Sequence, residues 1–147
     1  MAVAFSGSCL CGSVTFESTM EPMAVGHCHC EDCRKSSGTG HCTHVAVRED
    51  ALTLSGAVTA FEKPADSGNL VSRHFCGTCG SPVYSTNAAQ PGSIFLRASI
   101  LDQLEKYTAQ LAVWTNRATA FDPVDKTLMG FEAEIPPEVM AEMMAAE

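Results

Sequence analysis

Eight cysteines dominate this 147-residue chain, and most of them fall into three spaced groups: Cys9-x-Cys11, Cys28-x-Cys30-x2-Cys33 and Cys76-x2-Cys79, with Cys42 alone. The middle group lies in the run His27-Cys28-His29-Cys30-Glu31-Asp32-Cys33-Arg34-Lys35, which crowds sulfur, imidazole and basic side chains together. Sulfurs this close in sequence cross-link, exchange electrons or share an ion, and the redox setting decides which.

The opening run Met1-Ala2-Val3-Ala4-Phe5-Ser6-Gly7-Ser8 has no basic start and no long apolar stretch, so no signal peptide is expected. No apolar run is long enough to cross a bilayer, so no membrane partner is expected and the expected location is cytoplasmic. There disulfides are rare and clustered cysteines serve as metal ligands or redox groups. A chain of this length can bury its own core and does not need staples. A single domain over 1–147 is expected. The net charge of −8, with no basic run, speaks against nucleic acid, which requires a Lys/Arg footprint.

Short alternating or β-branched runs separated by Gly, Pro and Ser predict many strands and little helix, an all-β class. Strands are expected at Ser13-Val14-Thr15-Phe16-Glu17, Ala24 to Cys28, His41 to Val47, Leu52 to Gly56, Val58 to Phe61, Leu70 to Phe75, Ser81 to Ser85, Ser93 to Ala98 and Ala112 to Trp114. Lys35-Ser36-Ser37-Gly38-Thr39-Gly40 has turn composition, and Lys63 to Asn69 that of a surface loop. The tail from Pro137 has helical propensity.

Cys9, Cys11, Cys76 and Cys79 supply the four thiolates of a closed tetrahedral zinc site, which would tie the N-terminal strand to the middle of the chain. A redox role for Cys76 and Cys79 would leave Cys9 and Cys11 unexplained. Cys28, Cys30 and Cys33 on a tight loop offer three ligands and one free position, the coordination of a catalytic zinc. A free position could hold an external thiol as thiolate and suit its addition to a carbonyl carbon, or the reverse. Alternatively a fourth protein ligand closes the site: Cys42 is the first candidate, with His27, His29, His41 and His44 behind it. Closure would fit a non-catalytic zinc module that binds another protein. Arg34 and Lys35 either hold a substrate carboxylate, offset the thiolate charge or are solvated. Arg73 and His74 share that ambiguity, and Trp114 reads as core sooner than as a substrate platform.

The stretches Gly7-Ser8-Cys9-Leu10-Cys11-Gly12-Ser13-Val14, His27 to Gly38 and Arg73-His74-Phe75-Cys76-Gly77-Thr78-Cys79-Gly80-Ser81-Pro82 together resemble the glutathione-dependent formaldehyde-activating, or centromere-protein-V-like, family. The resemblance implies an Mss4-like zinc fold of short antiparallel strands. It also implies two Zn2+ per chain, a structural ion on Cys9, Cys11, Cys76 and Cys79 and a second, open to partial occupancy, near Cys28, Cys30 and Cys33. The implied activity is that of a carbon–sulfur lyase joining glutathione to formaldehyde as S-(hydroxymethyl)glutathione. The implied partners are a small thiol and a small electrophile.

Overall fold

The computed structural model describes residues 2–145. Its strands are β1 (Phe5–Ser8), β2 (Thr15–Ser18), β3 (Ala24–Cys28), β4 (Cys42–Arg48), β5 (Leu52–Ser55), β6 (Val58–Pro64), β7 (Leu70–Cys76), β8 (Pro82–Asn87), β9 (Ser93–Arg97), β10 (Leu111–Val113) and β11 (Met129–Gly130). Two short α-helices accompany them, α1 (Glu31–Ser37) and α2 (Pro137–Ala145). The mainly-β class expected from the alternating runs is what forms. A three-stranded sheet runs β1-β2-β5 and an eight-stranded sheet runs β11-β10-β3-β4-β9-β8-β7-β6.

Strand periodicity builds the core. In β1 the buried side chains alternate from Phe5, and in β2 from Phe16, so each strand turns one face inward. Phe5 and Phe16 meet edge-on at 6.1 Å and pack with Val25, Val45, Val47, Ile94 and Leu96 of the large sheet. The core is therefore the seam between the two sheets, a two-layer arrangement.

Three features differ from the expected pattern. β10 pairs parallel with both β3 and β11, so the strands are not uniformly antiparallel. Phe5–Ser8 is a strand. The turn expected after Cys33 is instead helix α1, so Cys33 stands on a helix and not on a loop. The reason for the helix is local. Cys30 caps its start by accepting from Cys33 N through Sγ, Glu31 and Asp32 sit in the first turn where the helix dipole favours anions, and Gly38 ends it at φ 79°.

Candidate metal centres

The first cluster joins the two sheets. Cys9 follows β1, Cys11 lies in the turn before β2, and Cys76 ends β7, where a register shift between His74 and Phe75 re-aims the strand. Beyond it, Gly80 N donates to Cys76 O at 2.8 Å and closes the turn that carries Cys79. All four sulfurs lie within 4.8 Å of one another, with Cys9–Cys11 at 3.7 Å and Cys11–Cys76 at 3.8 Å. Four sulfurs placed tetrahedrally about one zinc at ~2.3 Å lie ~3.8 Å apart, so the group fits that ion. All eight cysteines are free.

The surroundings favour thiolate at Cys76 and Cys79. Val14 N donates to Cys9 Sγ at 3.3 Å, and the hydroxyls of Ser13 and Ser81 reach Cys76 at 3.3 Å and Cys79 at 3.2 Å. The Ser13 hydroxyl, then backbone N–H groups, bring Cys76 down to about 7. The Ser81 hydroxyl and backbone N–H bring Cys79 down to about 5. Hydrogen bonds to the charged form lower a thiol pKa in this way.

The second cluster sits where β3 meets α1. Cys28 ends the strand, Cys30 is the cap and Cys33 lies in the first turn, their sulfurs within 4.8 Å of one another. The sulfurs share charge unequally. The bond with Cys28, then that with Cys33, brings Cys30 down to about 2, with Arg73 adding positive potential. The same bond pushes Cys28 up to about 12. One thiolate forms readily while like-charge repulsion keeps its neighbours protonated, so a cation is what would let all three ionise.

Cys42 and His44 lie beside this cluster, and each already has a hydrogen-bond partner. Cys42 faces Cys28 across the β3–β4 ladder and donates through Sγ to Cys33 O at 3.0 Å. It comes within 4.8 Å of Cys33 and His44 as a group. Arg97 Nη1 approaches His44 Nδ1 at 2.8 Å, and burial, then the charge of Arg97, holds the imidazole well below its usual pKa. A guanidinium can only donate, so Nδ1 accepts and the neutral ring carries its proton on Nε2, facing Cys33 Sγ at 3.5 Å. His44 thus presents an N–H to the sulfur.

A cavity of about 250 Å³ opens onto Cys28, Cys30 and Cys33, and Arg73, His44 and Trp114 also line it. Arg34 and Lys35 stand on α1 outside that lining, and Lys35 pairs with Glu31 at 3.0 Å. Trp114 is half-buried at φ 55°, a left-handed conformation rare for a bulky residue, and its ring stacks under Arg117 at 5.3 Å. His27 lines the cavity with Nδ1 held 2.8 Å from Thr43 Oγ1. Arg97 escapes a sequence reading because it ends a strand far from every cysteine group. Asp122 escapes it too, standing in a Phe-Asp-Pro turn with no ligand spacing around it, yet it lies with His29 and His41 within 4.8 Å.

Mainly-β layers carrying cysteine and histidine groups that could hold metal ions define the class. The chain belongs to the glutathione-dependent formaldehyde-activating enzyme family, whose model matches residues 4–117. The match spans all three cysteine groups. A crystal structure of a Rhodobacter sphaeroides protein, 23% identical, covers 67% of this chain and 88% of its own with a TM-score of 0.54, a likeness of fold. Among curated proteins no match is found. Among the described residues no helix is long and apolar enough to cross a membrane.

Proposed function

We propose that the chain is a single zinc-dependent domain that forms or breaks the adduct between a glutathione-like thiol and a small aldehyde, a carbon–sulfur lyase reaction, in the cytoplasm. Cys9, Cys11, Cys76 and Cys79 would hold a structural zinc, and Cys28, Cys30 and Cys33 a second one. The carrying observation is that these three sulfurs open onto a cavity while Cys42 and His44 are already engaged by Cys33 O and Arg97. That supports three protein ligands with a free position. When bound, zinc supplies the Lewis acidity that keeps a thiol deprotonated at neutral pH.

The remaining work falls to the chain's own groups. In the forward direction the substrate sulfur bonds to the aldehyde carbon, the C=O π pair moves to oxygen, and the thiol proton ends on that oxygen. Arg73 faces the cavity with an unpartnered Nε, which suits a carboxylate of a peptide thiol. Arg34 and Lys35 would meet only the outer part of a larger substrate. His27, half-buried and held below its usual pKa mainly by burial, is a cavity-lining group able to carry the proton. Trp114 contributes to the cavity wall.

Mixing the zinc-loaded protein with glutathione and formaldehyde should form S-(hydroxymethyl)glutathione faster than the spontaneous reaction, and Cys30→Ser should abolish the gain. Glutathione should also shift the visible spectrum of the cobalt-substituted protein. No acceleration together with an unmoved spectrum overturns the reading and leaves a closed, protein-binding zinc module in its place.

A further inference from the structure

His29, His41 and Asp122 come together from three separate segments. His29 directly follows β3, His41 directly precedes β4, and Asp122 belongs to the loop that the Thr119–Asp122 bridge closes. One ligating atom from each lies within 4.8 Å of the others. None of the three lines the cavity of the second cluster.

His29 is the unusual member. It is 1% exposed, yet neither ring nitrogen has a hydrogen-bond partner. A buried imidazole with both nitrogens idle is costly, because a neutral ring always has one donor and one acceptor to satisfy. His41 Nδ1 meets Asp122 Oδ2, a contact that leaves the other nitrogen and the other carboxylate oxygen available. An ion pair between those two alone explains nothing about His29. The backbone is shaped for the carboxylate: a Cβ on Gly40 would fall 2.3 Å from Asp122 Cβ and Oδ2, so only glycine lets that side chain approach. On the far side His27 packs its ring 4.3 Å from that of His41 while Thr43 holds it. The side chains of His41 and Asp122 keep 25% and 20% exposure, enough for an ion to enter.

We infer that His29, His41 and Asp122 form a third metal site, taking a borderline divalent first-row cation such as zinc through two imidazole nitrogens and a carboxylate oxygen. Calcium and magnesium prefer all-oxygen sets and copper(I) prefers sulfur, so the donor set selects the zinc-like ions. Three protein ligands leave room for water, so the site is open. Its position would fasten the loop carrying Asp122 to the ends of β3 and β4.

Elemental analysis of the full chain, saturated with zinc and freed of loosely held metal, tests it. Asp122→Asn and His29→Gln should each retain one zinc per chain fewer than the parent. In a cobalt titration that missing equivalent should be the one that adds only weak d–d absorption, while the intense thiolate-to-cobalt band is unchanged. That band also reports that the variant is folded. The affinity for the oxygen–nitrogen equivalent should fall at least about 100-fold, more than an outer-shell change costs. If the parent takes up no cobalt beyond that which brings the thiolate band, the site is refuted and His29 is met by a buried water. Equal zinc content in parent and variants refutes it as well. Because the thiolate band is read separately, failure of this site and failure of the cysteine sites are distinguishable.

Discussion

Glu21 gathers two donors on one carboxylate: Lys106 Nζ at 2.8 Å on Oε1 and the Tyr107 hydroxyl at 2.6 Å on Oε2. Lys106, then Tyr107, holds the Glu21 carboxyl below its usual range, and the same bond to Glu21 lifts the Lys106 amine. A lowered carboxyl pKa stabilises the fold above the unfolded value, and that contribution is lost as pH falls through the folded value. A raised amine pKa contributes below its unfolded value and is lost as pH rises through the folded one. The contact therefore stabilises across neutral pH and fades at both extremes, and its exposure keeps it small. Glu21→Gln should lower Tm by on the order of 1 °C at neutral pH, and thermal melts of parent and variant should converge below the carboxylate range. At this scale the sequence is legible where residues signal by spacing. The cysteine groups do so, and the structure brings the members of each together. Asp122, Arg97 and Glu21 act through partners more than fifty positions away, so nothing near them in sequence announces the role.

Helix α1 shows how a short element is held by its ends. Its seven residues, Glu31 to Ser37, have no apolar repeat and bury only Cys33, which is why hydrophobic periodicity misses it. A helix this short is not stable alone. It forms because Cys30 caps it, Gly38 terminates it and Asp32 meets Lys63 of β6 at 3.1 Å. Gly38 at φ 79° has open space where a Cβ would go, so Gly38→Ala should cost only the left-handed backbone strain, about 1–2 kcal/mol. Gly38→Asn should cost less, since Asn tolerates that region. Because α1 carries Cys33, the alanine variant should also bind metal more weakly at the second cluster while the four-cysteine cluster is unaffected, which a chelator competition would show. The parallel pairing of β10 escapes the sequence for a related reason: three residues carry no sign of strand direction, and the direction is set by the long excursion that brings Leu111 beside Gly26.

Over the whole molecule, the two sheets meet through the core of Phe5, Phe16, Val45 and Leu96 and through the four-cysteine cluster beside it. The mainly-β class was legible because strand alternation is a local signal repeated many times. That the chain forms two sheets with this seam was not, because which strands neighbour one another depends on pairings across the chain. Cys9 and Cys11 lie between β1 and β2 of the small sheet, while Cys76 ends β7 of the large one and Cys79 follows it. An ion held by all four would clamp the sheets, and its binding energy would enter folding directly. The aromatic and aliphatic core remains without it: Phe5, Phe16, Val45 and Leu96 are each at most 2% exposed. Loss of the clamp should therefore weaken the fold without abolishing it. Cys76→Ser should lower Tm by on the order of 10 °C, whereas Cys30→Ser, in a cluster confined to one sheet and one helix, should lower it far less. Calorimetry on the two variants decides this. Equal shifts would mean that the four-cysteine cluster does not clamp the sheets and that the core alone sets how they meet.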